Sequence, residues 1–230
     1  MASTTGRRRM AIRITSYIIG MVIMAFGVAL VIKVDIGVAP GSVIPYSVSK
    51  LTPLSVGMCS ALFHIFCLLS QIAVTRRITF KLILQFPLAY VFGYMLDLFL
   101  ALLSFELPGM VYRVLFCIAG LFIFSFGIRA VVGADILLAP PDGLARAIGN
   151  KLGWPMSKAK LAFDIAVTVI ALLLTLALAG NAFLAVNIGT LICAAGTGPI
   201  IGLFTKLFPF LDMNKSEEKQ NQNQKTQSVD

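Results

Sequence analysis

Six ionisable side chains lie within, or close to the ends of, long apolar segments, where a charge is costly unless it has a partner or a function. They are five aspartates and the single histidine of the chain: Asp35, His64, Asp97, Asp135, Asp142 and Asp164. Carboxylates and a histidine in such surroundings can exchange protons or bind cations. This set therefore suggests the movement of a proton, an ion or a small solute, and all six are pathway candidates.

Asp35 and Asp135 follow the first and fourth apolar segments, and each is followed by an Ala-Pro pair that ends in Pro40 or Pro140. One interpretation is a pair of carboxylates at opposite mouths of one pathway, which bind a proton or cation in alternation. The other is a helix-end carboxylate that holds a structural turn at each proline, because an aspartate at the end of a span costs little. The sequence leaves both open.

The remaining candidates also have structural alternatives. His64 lies near the middle of its segment, where it is either a protonatable group or a neutral ring bonded to a neighbouring helix. Asp97 has no opposite charge near it in the sequence, which favours a role in a pathway. Asp164 follows Lys160 by four residues, a spacing that predicts an ion pair on one helix face.

The elements that must position these residues are membrane helices. The chain is 58% hydrophobic, more than is usual for a soluble domain. Apolar runs long enough to cross a lipid bilayer predict six spans, at residues 14–32, 51–75, 82–105, 110–132, 160–179 and 185–208.

Lysine and arginine are concentrated in alternate loops. They are frequent before the first span, between the second and third, between the fourth and fifth, and after the sixth. Such loops are cytoplasmic in most membrane proteins. We therefore expect a protein of the inner membrane with both termini in the cytoplasm. The formal net charge of +9 follows from this bias and from anionic lipid, and it does not indicate nucleic acid.

A repeat divides the chain into two halves. Between residues 26–40 and 126–140, seven of fifteen positions are identical at an offset of 100. Each half contains three predicted spans, so two copies must enter the membrane in opposite senses, as in inverted-repeat transporters. We expect a basic cytoplasmic arm (1–13), two membrane repeats (14–105 and 110–210) and a disordered cytoplasmic tail (211–230), which is rich in Gln, Asn, Lys and Glu.

A short extra helix is predicted after the first span of each repeat, within residues 41–52 and 141–153. Each segment is too short to cross the bilayer. It is either a re-entrant half-helix that lines a cavity or an amphipathic helix at the membrane surface. In the sixth span, Gly198 and Gly202 form a small face suited to close helix packing.

Sequence motifs for an enzyme are missing. The four cysteines lie singly in spans, no metal-binding or phosphate-binding spacing occurs, and no catalytic pair of an intramembrane protease is evident. We therefore expect no enzymatic activity, no cofactor and no metal.

The stretches 26–30, 35–40 and 51–57 resemble the YczE/YyaS/YitT-like family of bacterial integral membrane proteins. The resemblance implies a bacterial inner-membrane protein with this fold, and it implies no particular activity. In that family an acidic residue commonly follows the Ala-Pro pair. Asp142 keeps this acid, whereas Gly41 and Ser42 replace it in the first half.

Two functions fit these features. The first is a secondary transporter or permease for a small solute or ion, indicated by the repeat and its acidic residues. The second is a non-transporting accessory or regulatory protein that acts through a membrane partner, or as a homo-oligomer, which suits the small size of the chain.

Overall fold

The computed structural model describes residues 2–181 and 184–211, and this part of the chain contains helices and no strand. In chain order the helices are α1 (Ala2–Lys33), α2 (Pro40–Leu51), α3 (Val56–Thr75), α4 (Phe80–Leu102), α5 (Met110–Ala134), α6 (Pro140–Leu152), α7 (Met156–Ala179) and α8 (Ile188–Leu207), with a 3₁₀ turn at Pro209–Leu211. All but α2 and α6 are long and apolar enough to cross a membrane, α1 from Met10 onward. The predicted all-α fold with six membrane helices is thereby confirmed.

Helix ends differ from the predicted bounds for local reasons. The basic arm is helical and continuous with the first span, since α1 begins at Ala2. Helix α3 begins later than predicted because the Ser55 side chain caps it by accepting the Met58 N–H. Helix α7 ends where Gly180 adopts a left-handed conformation (φ 66°), which glycine does without steric cost. The predicted tail lies outside the described residues, apart from its first residue.

Helices α1 and α5 cross in contact at the centre of the bundle. A side chain at Gly27 would overlap the backbone of Phe124, and one at Gly127 would overlap the backbone of Met24. Adding 100 to Gly27 gives Gly127, and subtracting 100 from Phe124 gives Met24, so the two contacts are equivalent in the two halves. Two glycines therefore allow the close approach of helices that a larger residue would hold apart.

The same offset of 100 residues relates most other contacts between helices. Helix α1 packs on α4 as α5 packs on α8, and α2 packs on α7 as α6 packs on α3. Each short helix thus lies against the second span of both halves, which brings α2 and α6 to the same region of the bundle.

One pair of contacts breaks the pattern. Helices α3 and α4 meet closely at Gly57 and Gly93, whereas α7 and α8 barely touch within the described residues. Gly198 and Gly202 are exposed, and a side chain at either would meet no described atom within 4 Å. The prediction that these glycines serve close packing is therefore wrong within the chain.

Candidate functional site

A central cavity of about 190 Å³ lies where α2 and α6 begin. Its walls include Ala39 and Pro40 from one short helix and Ala139 and Pro141 from the other. Proline occupies the first helical position in both, where its missing N–H costs no hydrogen bond. The Ala-Pro pairs therefore start two helices at one site.

The depth of this cavity distinguishes the two interpretations of the short helices. Met24, which lies inside the α1 span, and His64, which lies inside the α3 span, line the cavity together with the first turns of α2 and α6. Helical segments that begin beside mid-span residues and line a cavity are re-entrant, and a helix lying on the membrane surface would not reach this depth. The geometry therefore favours the re-entrant arrangement.

An ammonium group shared by two carboxylates forms the charged part of the cavity. The Lys160 Nζ lies 2.9 Å from Asp142 Oδ1 and 2.8 Å from Asp164 Oδ1. The three side chains are between 23% and 34% exposed, so they are only partly hydrated. We call Lys160, Asp142 and Asp164 the charged triad.

Sequence reasoning identified only part of this triad. The Lys160–Asp164 pair was expected from its four-residue spacing, and it is present. The third member could not be placed without the depth of α6, because Asp142 stands in the first turn of a helix whose position the sequence left open.

The first half places different groups at the equivalent positions. Ser42, Ser60 and His64 stand 100 residues before Asp142, Lys160 and Asp164. Ser42 and His64 line the same cavity. The His64 Nδ1 is buried and has no hydrogen-bond partner in the described part of the chain, and the ring centroids of His64 and Phe92 are 5.4 Å apart. The two halves thus present one charged and one neutral polar wall.

A second cavity, of about 350 Å³, opens toward the membrane face where α1 starts. We call it the vestibule. Polar and charged side chains dominate its lining: Gln71, Thr75, Thr79, Lys81, Gln85, Asp135, Arg146 and Asn150. Gln85 is 6% exposed and its Oε1 lacks a described partner. A buried amide at the wall of the vestibule is a polar group that needs a hydrogen-bond partner.

A small cavity of about 30 Å³ lies between the vestibule and the central cavity. Gln85 and Leu138 line both this cavity and the vestibule, and His64 and Phe92 line both this cavity and the central one. The three cavities are thus neighbours, and together they extend from one membrane face to the charged triad.

Described positions equivalent to the vestibule are buried in the other half of the bundle. Val43, Tyr46 and Thr175 stand 100 residues from Gly143, Arg146 and Thr75 of the vestibule, and they are 0%, 3% and 1% exposed. These side chains belong to or adjoin the main hydrophobic core. The route that is open in the second half is therefore filled with side chains in the first.

Asp35 and Asp135 occupy equivalent turns outside the central cavity. Both adopt a left-handed conformation, with φ of 52° and 51°, which aspartate tolerates better than most residues. Arg13 bonds the Ala134 carbonyl at 2.9 Å, and its counterpart Arg113 bonds the Val34 carbonyl at 3.4 Å. The two aspartates mark structural turns, although Asp135 also lines the vestibule.

Asp35 is bound by its own short helix. Partial burial would raise the pKa of this carboxyl, but the Tyr46 hydroxyl and the Lys50 ammonium donate hydrogen bonds to it and hold its pKa below the ordinary value. Asp135 instead faces Arg13, at 3.5 Å. The two carboxylates thus have different partners.

Asp97 lies away from the described cavities. Its Oδ1 accepts the Gly57 N–H at 2.7 Å and its Oδ2 accepts the Ser55 hydroxyl at 2.6 Å. A carboxylate at the N-terminus of α3 satisfies free N–H groups and favours the helix dipole. These contacts give Asp97 a structural explanation that the sequence concealed, because its partners lie about forty residues away.

Within residues 2–181 and 184–211, no group of three or more His, Cys, Asp and Glu side chains is arranged to hold a metal ion. The described cysteines are buried and free.

The fold and the central cavity define a small polytopic membrane protein with two short helices that begin at one cavity. Residues 11–206 match the model of a family of unknown function, DUF6198, and the chain belongs to this family. No curated protein and no solved structure matches the chain. The family assignment does not name the YczE/YyaS/YitT-like proteins.

Proposed function

We propose that the protein is a secondary transporter or permease, not an enzyme, and that the central cavity holds its solute or ion. The observation that carries the proposal is the meeting of two short helices at a cavity that contains the Lys160 ammonium and two carboxylates. Ionisable groups at this depth are costly to keep and usually serve transport.

An inverted repeat supplies the mechanism. The contacts that exchange at an offset of 100 support two copies of one unit inserted in opposite senses. Such a protein has two related conformations, in which the halves exchange their arrangements. The present structure, with its open vestibule and the filled equivalent positions, is one of these conformations. In the other conformation the vestibule would be closed at Gly143, and the opposite side would be open at Val43.

The charged triad would couple movement of the solute to that of a proton or ion. Lys160 is shared by Asp142 and Asp164, so neutralising one carboxylate leaves the other to hold the ammonium. His64 lines both the central cavity and the small cavity that separates it from the vestibule. We propose that His64 controls passage at this point.

Reconstituted protein tests the proposal. Proteoliposomes are offered a broad panel of labelled small solutes, and we expect uptake of some of them. Gly41 lines the cavity and a side chain added there meets open space, so Gly41→Leu should fill the cavity and abolish uptake. Gly202→Leu, at an exposed glycine that also faces open space, is the matched control and should transport normally. Equal uptake by both variants would contradict the proposal.

One observation favours the alternative of an accessory protein. The exposed small face of α8 at Gly198 and Gly202 could receive a helix of a membrane partner or of a second copy. Crosslinking in native membranes at high yield, without any solute uptake, would support that role.

The location and the closer relationship are proposed with the function. The basic loops favour a bacterial inner membrane with both termini in the cytoplasm, which places the vestibule on the cytoplasmic side. Membership in the YczE/YyaS/YitT-like family remains a proposal that rests on residues 26–30, 35–40 and 51–57.

A further inference from the structure

The charged triad has one carboxylate more than it has ammonium groups. Lys160 contributes one positive charge, and Asp142 and Asp164 contribute two negative charges when ionised. Among the described residues, no other lysine or arginine lines the central cavity. Because an unbalanced charge is costly in surroundings of low polarity, the cavity is suited to one additional positive charge.

Helix dipoles reduce this imbalance only in part. The N-terminus of α6 carries at most about half a positive charge, and it already faces Asp142 in its own first turn. The N-terminus of α2 lies on the wall formed by Pro40, Gly41 and Ser42, and α2 packs on α7, so its partial charge also offsets part of the imbalance. Asp164 therefore keeps Lys160 as its one described cationic partner, and it shares that partner.

The other walls indicate an organic ligand. Met24, Val28, Phe92, Phe124 and Ile128 make most of the remaining surface apolar. Inorganic ions prefer a shell of several oxygen ligands, whereas the oxygen-bearing side chains of this cavity, Ser42, Thr197, Asp142 and Asp164, are outnumbered by apolar ones. Aromatic faces attract ammonium groups, and a volume of about 190 Å³ holds on the order of six water-sized groups.

An unpartnered acceptor completes the set. The His64 Nδ1 is buried without a described hydrogen-bond partner, and His64 lines the cavity. A rotation of the ring would present this nitrogen to the cavity, where as a neutral acceptor it can take a hydrogen bond from an ammonium N–H, which a quaternary ammonium lacks.

We infer that the central cavity binds a small organic monocation, an ammonium with at least one N–H on a compact apolar body. The N–H groups bond Asp164 and His64, and the apolar body packs on Phe92 and Phe124. As an assignment of the transported substrate this rests on the proposed function, whereas binding itself can be measured without transport.

Binding to purified full-length protein in detergent tests the inference with four probes that share one cyclohexane ring and differ in charge: cyclohexylammonium, cyclohexanecarboxylate, cyclohexanol and the zwitterion 4-aminocyclohexanecarboxylate. Titration calorimetry should detect the ammonium and show at least tenfold weaker binding of the other three. Preference for the carboxylate or for the neutral alcohol would overturn the inference. Preference for the zwitterion would also overturn it, because that ligand would place a carboxylate at the first turn of α2. If none of the four probes binds, a proton is the charge that balances the carboxylates, and this result would also overturn the inference.

Variants locate the site. Asp164→Asn should weaken ammonium binding at least tenfold, and Asp35→Asn, which removes a carboxylate outside the cavity, should leave it unchanged. Gly41→Leu provides a second test that leaves the triad intact, and it should abolish binding. Unaltered binding in Gly41→Leu would show that the ammonium binds elsewhere. Solute uptake without ammonium binding would refute this inference alone, and ammonium binding without any uptake would refute the transport proposal alone.

Discussion

The Lys160 ammonium lies 2.9 Å from the Asp142 carboxylate, and the two residues belong to different helices. Their contact fixes the start of α6 against α7 at the central cavity, where α2 also begins. The ion pair is therefore both a structural link and the charged part of the cavity.

The charged triad should be sensitive to the loss of its cation. Lys160→Met leaves two neighbouring carboxylates without an ammonium, and we expect a loss of stability on the order of 3 kcal/mol, since breaking a buried pair leaves an uncompensated charge. Thermal denaturation in detergent, followed by size-exclusion chromatography, measures it. Adding Asp142→Asn and Asp164→Asn to Lys160→Met should recover most of the loss. If the triple variant is less stable than Lys160→Met alone, electrostatic compensation is not the reason.

The crossing of α1 and α5 should not tolerate a larger residue. A side chain at Gly27 or Gly127 would overlap backbone atoms of the facing helix, and backbone cannot move aside as a flexible side chain can. We expect Gly27→Val and Gly127→Val each to abolish the monodisperse chromatographic peak of the folded protein. Gly202→Val, on an exposed surface, should behave like the wild type. A folded Gly27→Val protein would argue against this packing.

Asp97 should matter for stability and not for the cavity. Asp97→Ala removes the acceptor of the Gly57 N–H and the Ser55 hydroxyl, and loss of a helix-start acceptor typically costs about 1 kcal/mol. The melting temperature should therefore fall, while solute uptake by folded protein at permissive temperature stays normal. Abolished uptake in a protein of near-normal stability would restore Asp97 as a pathway residue.

Asp35 should give stability a dependence on acidic pH. Hydrogen bonds from Tyr46 and Lys50 hold its folded-state pKa below the ordinary 3.8. Its contribution is therefore present above pH 3.8 and is lost as the pH falls through the lower folded value. Because the side chain is 53% exposed, the effect should be at most about 1 kcal/mol.

Melting temperatures of the wild type and of Asp35→Asn, measured between neutral pH and about pH 3, test this dependence. The variant should be less stable at neutral pH, and the difference should shrink below the ordinary pKa. A difference that is independent of pH would show that the charge of Asp35 is not what stabilises this turn.

The parts of the fold that depend on local sequence could be predicted. Apolar length gave the six spans, and the spacing of Lys160 and Asp164 gave their ion pair, because both depend on neighbours within one helix. The partners of Asp97 could not be found, since Ser55 and Gly57 reach it only through the packing of α3 on α4. Asp142 joins the triad only because α6 begins deep in the bundle.

The small face of α8 shows that a sequence pattern can also predict a contact that the described structure does not make. Gly198 and Gly202 have the spacing of a packing motif, but close contact is made by Gly57 and Gly93 instead. Spacing identifies a surface that permits close approach, and only tertiary structure determines whether a helix occupies it.

Access to Gly41 from both membrane faces tests the central claim most directly. A single cysteine is placed there after Cys59, Cys67, Cys117 and Cys193 are replaced by alanine, and a charged methanethiosulfonate is applied to each face of sealed vesicles in turn. Gly202→Cys, which points away from the cavity, is the control and should react poorly from either face. We expect the Gly41→Cys thiol to react from both faces, because the cavity opens to each face in turn. The reaction should be faster from the face on which the vestibule opens. Reaction from the vestibule face alone, under every condition that supports solute uptake in the parent protein, would contradict it.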